Sequence, residues 1–359
     1  MDSQSYETCH VLLDRLLQIL DGRSLRFMEV CGTHTVALFQ SGLRSLLPKS
    51  ITHLSGPGCP VCVTHDSELA LCLTLAQEKT VHIASFGDLL RVPGPNRETL
   101  RHARAKGAKV SLVYSPLDAL KLAQENPSEL VCFLGIGFET TAPTVAATIV
   151  TAKERRVDNF CVLSLHKLVP PVLKALLEDP DSALDAFLLP GHVSTVLGLA
   201  PYAFLSRYRV PGVVAGFEPI DLLLALCMLA QMHRDGLFLV RNAYERAVRA
   251  EGNPKARELM DRVFTRTNGL WRGLGEIAES GLAIREEYAR FDARARFGLT
   301  LQAVKPLAGC RCGDVLRGRI APPDCPLFGT ACTPKDPVGP CMVSTEGSCA
   351  AWFKYGGVL

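Results

Sequence analysis

Residues 130–141 read LVCFLGIGFETT, a continuous apolar run that ends in a loop of small and polar residues. Strands buried on both faces of a parallel sheet have this unbroken apolar character, whereas half-buried strands alternate between apolar and polar side chains. The threonines that close the loop are residues that often begin a helix. The stretch therefore predicts one strand–loop–helix unit of an α/β fold.

The same unit recurs between about residues 25 and 220. The apolar runs are Leu25–Val30, Ile51–Leu54, Thr80–Phe86, Val110–Tyr114, Leu130–Ile136, Phe160–Leu165, Ala186–Leu189 and Val210–Ala215. Helix candidates such as Pro116–Gln124 and Pro170–Glu178 lie between them. A polar break at 125–128, reading ENPS, falls near the middle of the series. We therefore predict two similar small parallel-sheet α/β domains, 25–125 and 126–220, with one large sheet as the alternative.

The chain after residue 220 has a different character. Ile220–Val248 and Pro254–Arg294 predict long helices, and the chain from about residue 306 onward is rich in Cys, Pro and Gly. We expect a third, helical and cysteine-rich domain at 221–359, packed with residues 1–24. A segment with so little apolar material needs a staple, and a metal cluster is a sufficient one.

Composition narrows the classes of function. The net charge of +3 over 359 residues gives no nucleic-acid footprint. No run approaches the roughly 18 apolar residues that span a bilayer, and the segment from Met1 to Arg23 lacks the apolar block of a signal peptide. We expect a cytoplasmic protein with neither a nucleic acid nor a membrane as its partner.

The chain contains 14 cysteines, which a reducing cytoplasm would not keep as structural disulfides. Five of them lie inside apolar or helical stretches and are interpreted as buried, inert thiols. These are Cys9, Cys72, Cys132, Cys161 and Cys227. The other nine form three groups: Cys31 alone, a CxxC pair, and six near the C-terminus.

Chemically reactive residues follow several of the predicted strands. The loops read CGTHT at 31–35, GPGCPVC at 56–62, GD at 87–88, GFETT at 137–141, PGHVS at 190–194 and GFEP at 216–219. Ligands of open α/β sheets bind beyond the carboxyl ends of the strands. We therefore expect these loops to converge on one cleft.

Cys31 and His34 form the first candidate site. A thiolate is a soft ligand for iron and imidazole a borderline one, and a histidine three residues away could share a metal or lower the thiol pKa. The alternative is a buried cysteine beside a helix-capping Thr33. Cys59 and Cys62 have the spacing of a disulfide across a single turn or of half a metal site. A zinc finger of two such pairs is disfavoured because the sequence has no second CxxC.

Glu139 and His192 are the weaker candidates. Glu139 could bind a cation or act as a general base, while capping of the next helix by its neighbouring threonines is equally expected. His192 lies in the presumed cleft, although a histidine at a strand end is often only hydrogen-bonded. Glu218 is interpreted in the same way with slightly less weight, and Asp88 is interpreted as a residue that stabilises a turn.

Six cysteines crowd the C-terminal part of the chain, and their spacing is more varied than that of zinc knuckles. They are Cys310, Cys312, Cys325, Cys332, Cys341 and Cys349. Iron–sulfur clusters accept such varied spacing. We predict a cluster held by Cys310, Cys325, Cys332 and Cys349, with Cys312 or Cys341 as possible replacements and zinc as the alternative metal.

Taken together, the motifs CGTH, GPGCPVC, GFETT, PGHVS and CMVS resemble those of the HypD family, in the same order and over nearly the whole chain. Each motif is short, but the set is highly specific. Many family members carry a second histidine at the position of Val36, so His34 carries more weight in this chain.

The resemblance implies assembly of the iron centre of NiFe hydrogenases, as an Fe(CN)2CO precursor, in complex with the small chaperone HypC. HypE, charged by HypF from carbamoyl phosphate, would deliver cyanide, and the hydrogenase large subunit would be served indirectly. By similarity, Cys31 would hold iron together with a HypC cysteine, and Cys59 and Cys62 would be a redox pair. The C-terminal cysteines would carry a 4Fe–4S cluster that exchanges electrons with that pair. The implied fold has two similar α/β domains and a third that bears the cluster.

Two other functions fit some of the same residues. One is a thiol–disulfide or iron–sulfur reductase acting on a protein. The other is a metal-dependent hydrolase that uses Glu139 and His192.

Overall fold

The computed structural model describes residues 3–305 and 308–357, and it contains two parallel sheets and one antiparallel hairpin. The strands are β1 (Leu25–Glu29), β2 (Ile51–Ser55), β3 (Val81–Ser85), β4 (Lys109–Leu112), β5 (Leu130–Gly135), β6 (Phe160–Ser164), β7 (Ala186–Pro190), β8 (Gly212–Ala215), β9 (Val240–Asn242), β10 (Phe264–Trp271) and β11 (Gly275–Ile284). The larger sheet has the order β2-β1-β7-β8-β9 and the smaller one β4-β3-β5-β6. The α/β class with parallel sheets is confirmed.

Helices cover both sheets. They are α1 (Ser3–Leu20), α2 (Gly32–Gln40), α3 (Leu43–Leu46), α4 (Pro60–Val63), α5 (Asp66–Gln77), α6 (Leu100–Ala105), α7 (Pro116–Glu125), α8 (Ala142–Glu154), α9 (Val169–Leu177), α10 (Gly191–Leu197), α11 (Pro219–Asp235), α12 (Pro254–Val263), α13 (Ala293–Phe297), α14 (Cys312–Leu316), α15 (Pro340–Val343) and α16 (Ser348–Tyr355). The 3₁₀-helical segments are Asp88–Arg91, Pro95–Arg97, Ala200–Tyr208, Glu286–Phe291 and Pro322–Asp324. No described helix is long and apolar enough to cross a membrane.

Strand pairing does not follow the predicted boundaries 25–125 and 126–220. β1 pairs in parallel with β7, and β3 pairs in parallel with β5 across the predicted break. The chain leaves the larger sheet after β2, builds the whole smaller sheet, and then returns as β7. The residues at 125–128 are only the connection between α7 and β5 within one sheet. Apolar runs indicate which residues form strands, but not which strands become neighbours.

The third predicted region, 221–359, is only partly helical. The predicted helix Ile220–Val248 ends at Asp235 and is followed by β9, and the predicted helix Pro254–Arg294 contains the β10–β11 hairpin. Gly273 and Gly275 lie in the hairpin turn with positive φ angles of 71° and 81°, a conformation that favours glycine. Helix α1 packs against α11 through buried apolar side chains. Residues 1–2, 306–307 and 358–359 of the predicted regions lie outside the described residues.

Both parallel sheets are covered on both faces, which explains the unbroken apolar strands. In the larger sheet, Leu188 faces the core formed with α1 and α11, while Phe187 faces the opposite core. In the smaller sheet, Phe133 and Cys132 likewise belong to separate cores. The five cysteines predicted to be inert, Cys9, Cys72, Cys132, Cys161 and Cys227, are all buried and free.

Candidate metal and redox site

The loop of Cys31 and the CxxC loop pack directly on each other beyond β1 and β2, which are neighbours in the larger sheet. Cys31 precedes α2, and the backbone N–H of Gly32 donates to the carbonyl of Gly58 at 3.1 Å. A Cβ atom on Gly58 would lie 2.2 Å from the backbone nitrogen of Cys31. Such an approach excludes any side chain at Gly58 unless the Cys31 loop moves.

Glu29 supports the Cys31 loop from below. Its side chain is fully buried, and one carboxylate oxygen accepts a hydrogen bond from the backbone N–H of Cys31 at 2.9 Å. The other accepts from the Thr35 hydroxyl at 2.5 Å and lies 3.6 Å from Nε2 of His53. Sequence reasoning missed Glu29 as a site residue. The available signal was a single carboxylate near the end of the apolar run Leu25–Val30.

Burial keeps the Cys31 thiol protonated. Burial raises the pKa of Cys31 to about 12, and the negative charges of Glu346 and Glu29 add to the rise. Backbone hydrogen bonds from His34 and Thr33 act in the opposite direction. A cation bound beside the sulfur would oppose the effects of burial and of the two carboxylates, because it favours the thiolate.

His34 is held in one tautomer. Its side chain is fully buried, and Nε2 lies 3.2 Å from the carbonyl oxygen of Ala215 and 3.0 Å from that of Gly216. Carbonyl oxygens can only accept, so Nε2 carries the hydrogen. Burial lowers the pKa of His34 to about 4, which keeps the ring neutral at pH 7. Nδ1 is buried without a hydrogen-bond partner and therefore holds a free lone pair.

His192 joins this site through an aromatic ring between the two histidines. The centroid of Phe217 lies 4.8 Å from that of His34 and 4.0 Å from that of His192. His192 is exposed, whereas His34 is buried. The loops after β1, β7 and β8 thus converge as expected. In the sequence Phe217 is only one residue of the loop at 216–219, but its ring contacts both histidines.

Glu346 brings the C-terminal segment to the same place. The Thr33 hydroxyl donates to its carboxylate at 2.9 Å, and a Cβ atom on Gly32 would lie 2.5 Å from the Glu346 carbonyl oxygen. Burial raises the pKa of Glu346, and the nearby charges of Asp88 and Glu29 raise it further. Asp88, from the loop after β3, therefore also faces this site. No sequence signal distinguished Glu346, because its partner is 313 residues away.

Glu139 does not lie with Cys31 and His192. It lines a separate cavity of about 1120 Å3 between α9, α12 and the hairpin. One carboxyl oxygen accepts from the Val169 N–H at 2.9 Å, the other has no partner, and burial raises the pKa of Glu139 to about 7. Burial raises the pKa of Tyr202, and the charges of Glu139 and Cys31 raise it further. A hydrolase site that combines Glu139 with His192 is not supported by this arrangement.

Cys59 and Cys62 form a disulfide, with 5.2 Å between their Cα atoms. The two residues are 3% and 1% exposed, and the backbone N–H of Cys62 donates to Sγ of Cys59 at 3.2 Å. The short helix α4 that carries the pair packs against α15, which carries Cys341. Cys312 and Cys341 belong to the same apolar cluster as the disulfide. The CxxC pair is therefore adjacent to the C-terminal cysteines.

All six C-terminal cysteines line one apolar-walled cavity, together with Val315, Leu327, Phe328 and Met342. Cys310 hydrogen-bonds with Cys312, and Cys341 with Cys349. Among the described residues, no group of three or more His, Cys, Asp or Glu side chains surrounds a point that could hold a single metal ion. Thiolates suit an iron–sulfur cluster, which is larger than one ion. The cavity is about 20 Å3, so a cluster would have to separate the paired thiols.

Known proteins place the chain in a family. Residues 7–356 match the family model HypD, described as "Hydrogenase formation hypA family". The hydrogenase expression/formation protein HupD of Azotobacter chroococcum is 48% identical over 341 residues, covering 93% of this chain and 90% of that protein. The hydrogenase maturation factor HypD of Escherichia coli is 48% identical over 336 residues, with the same coverage. A putative hydrogenase expression/formation protein of Methanocaldococcus jannaschii is 42% identical over 344 residues, covering 96% and 95%. The chain belongs to the HypD family of hydrogenase maturation factors.

Proposed function

We propose that this protein is the scaffold on which the Fe(CN)2CO unit of NiFe hydrogenases is assembled. Cys31 holds the iron as cargo, in complex with a HypC-type chaperone that supplies a second cysteine. A HypE-type partner delivers cyanide, and the finished unit passes to the hydrogenase large subunit. Family membership supports a role in maturation, and the contacts around Cys31 support the finer assignment.

The observation that carries this proposal is the free lone pair of His34. Its Nε2–H is committed to two backbone carbonyls, and Nδ1 remains buried without a partner. Metal-binding histidines are commonly oriented in this way by a hydrogen bond from the other ring nitrogen. A thiolate from Cys31 and a neutral imidazole three residues away suit ferrous iron.

Loading of iron must remove the thiol proton. The high pKa of Cys31 means that the free protein presents a thiol, and a ligand sulfur must be a thiolate. Glu346 lies close enough for its charge to raise the pKa of Cys31, and its own pKa is raised by burial. We assign to Glu346 the acceptance of this proton before its release to solvent.

The second part of the proposal is a redox link. A 4Fe–4S cluster, held by four of the six C-terminal cysteines, would supply one-electron steps when bound. Reduction of the Cys59–Cys62 disulfide takes two electrons and two protons and gives two thiols. The electrons come from an external one-electron carrier protein. The packing of α4 against α15 supports this route, because it places the pair beside Cys341.

The burial of both sulfurs argues against a reductase that acts directly on protein disulfides, because a folded protein substrate, unlike a small dithiol, cannot reach them. Anaerobic copurification tests the distinction. A scaffold retains a small chaperone and iron beyond that of its iron–sulfur cluster, and it loses this additional iron in Cys31→Ala and in His34→Ala. Iron retained at the wild-type level by both variants, or turnover of a protein disulfide without iron, would favour the reductase.

A further inference from the structure

A buried ion pair lies at the carboxyl end of the helix that contains Cys62. Arg272, from the turn of the β10–β11 hairpin, and Asp66, the first residue of α5, are 4% and 5% exposed. The guanidinium binds both carboxylate oxygens, at 3.0 Å from Nη1 to Oδ2 and 2.7 Å from Nη2 to Oδ1. Two groups 206 residues apart in the chain thus form one planar, bidentate ion pair.

Arg272 also holds the carboxyl end of the CxxC helix. Its backbone N–H donates to the carbonyl of Val63 at 2.9 Å, and its Nε–H donates to that of Thr64 at 3.0 Å. Thr64 further pairs with Trp271 in an isolated antiparallel bridge. The end of α4 therefore cannot shift without breaking its hydrogen bonds to the hairpin.

The same turn touches the C-terminal cysteine segment on its other side. A Cβ atom on Gly273 would lie 2.2 Å from the Cα of Gly313, the residue after Cys312. The pKa of Cys341 is raised by its hydrogen bond to Cys349 and by burial, and the positive charge of Arg272 acts in the opposite direction. The charge of Arg272 opposes the rise in the pKa of Cys310 in the same way. Arg272 thus contacts the end of the CxxC helix, and its charge also acts on two of the C-terminal cysteines.

We propose that Arg272 is a positioning residue that sets the reduction potential of the Cys59–Cys62 couple, and that Asp66 opposes its charge. The inference rests on the redox role in the proposed function. Exchange with an external dithiol converts the protein disulfide to two thiols and the dithiol to its own disulfide. One protein thiol then loses its proton to solvent above its pKa. A fixed positive charge nearby stabilises that thiolate, and stabilising the reduced form makes the pair more oxidising.

Two other buried charged side chains near the first turn of α5 form an ion pair with each other. Glu68 and Lys167, 4% and 3% exposed at their side chains, form a second buried ion pair at 2.5 Å. Lys167 comes from the loop after β6 rather than from the hairpin turn, so this pair offers a control for the loss of a buried ion pair as such.

Equilibration of the purified protein with oxidised and reduced dithiothreitol at pH 8 tests the proposal. Acid quenching, alkylation and mass spectrometry then measure the reduced fraction of the peptide that contains Cys59 and Cys62. We expect Arg272→Met to shift the equilibrium about tenfold toward the disulfide, or about 30 mV more negative, and Asp66→Asn to shift it about tenfold the other way. Both variants break the same contact, so loss of structure alone would move them in the same direction.

Two further variants separate charge from shape. Arg272→Lys keeps the positive charge but loses the bidentate contact with Asp66. Its thiol–disulfide equilibrium therefore stays within about threefold of wild type, while its melting temperature falls. Lys167→Met stays within about twofold, because it removes a cation that does not contact the CxxC segment. If Arg272→Met does not fold, Asp66→Asn is compared with Arg272→Lys. A shift of Asp66→Asn toward the two thiols relative to Arg272→Lys supports the proposal, and a shift toward the disulfide overturns it.

Shifts of Arg272→Met and Asp66→Asn in the same direction would overturn the role of Arg272 and leave the proposed redox pair intact. A wild-type disulfide that is inert over the whole range of the dithiol buffer would instead overturn the redox part of the proposed function, and this inference with it.

Discussion

Replacement of Glu139 by glutamine should make the protein more stable at alkaline pH. The folded pKa of about 7 lies above the ordinary value of 4.5, so the folded state binds this proton more tightly than the unfolded chain. The resulting stability is fully present below pH 4.5 and is lost as the pH rises through 7. A difference of about 2.5 pKa units corresponds to about 3 kcal/mol. Glutamine can accept the Val169 N–H bond without ever carrying the charge.

Urea unfolding of both proteins at pH 5 and pH 8, followed by circular dichroism, measures this effect. We expect the gain of Glu139→Gln over wild type to be about 2.5 kcal/mol larger at pH 8 than at pH 5, because a small part of the effect is already present at pH 5. Glu279→Gln, an exposed position that lines the same cavity, is the control and should show no such difference. An equal gain at both pH values would refute the assignment of a proton on buried Glu139 near neutral pH.

Three further outcomes follow from the site geometry. Gly58→Ala should lower the melting temperature and abolish retention of the iron bound at Cys31, because its Cβ meets the Cys31 backbone at 2.2 Å. Gly87→Ala, whose Cβ meets only a leucine methyl at 3.3 Å, should be tolerated, and equal losses in both variants would contradict the steric argument. The affinity for ferrous iron should rise about tenfold per pH unit from pH 6 to 8, because binding releases one thiol proton. A chelator competition measures it as the difference between wild type and Cys31→Ser. A flat profile would show that no thiol is deprotonated. Reduction of the disulfide should lower the free energy of unfolding by no more than about 2 kcal/mol, because the loop that it closes is so short. Calorimetric melts with and without reductant measure this difference, and a larger value would contradict the expectation.

Local patterns predicted the strands well, since burial on both faces of a sheet imposes a continuous apolar run. The run Leu130–Ile136 became β5, and the loop residues Cys31, His34 and His192 did come together. The partners of these residues were not readable in the same way. Glu346 and Arg272 act through contacts made across 313 and 206 residues of chain, which no local spacing records.

The hairpin and the strand order were missed for related physical reasons. Phe264–Ile284 has a periodicity that does not separate a two-stranded ribbon from a helix, and the glycines of its turn show their positive φ angles only in the structure. The pairing of β1 with β7 depends on packing between distant segments, so the boundary at residue 125 had no physical basis in the smaller sheet. Glu139 was expected in the same cleft as Cys31, but it lines a separate cavity between α9, α12 and the hairpin.

The most direct test of the scaffold assignment is infrared spectroscopy of the anaerobically purified complex with its small chaperone. The wild-type complex should show the stretching bands of iron-bound cyanide and carbonyl. Cys31→Ala should lack these bands and yet keep the visible absorbance of an iron–sulfur cluster, because its C-terminal cysteines are unchanged. Intact cyanide and carbonyl bands in Cys31→Ala would contradict the account.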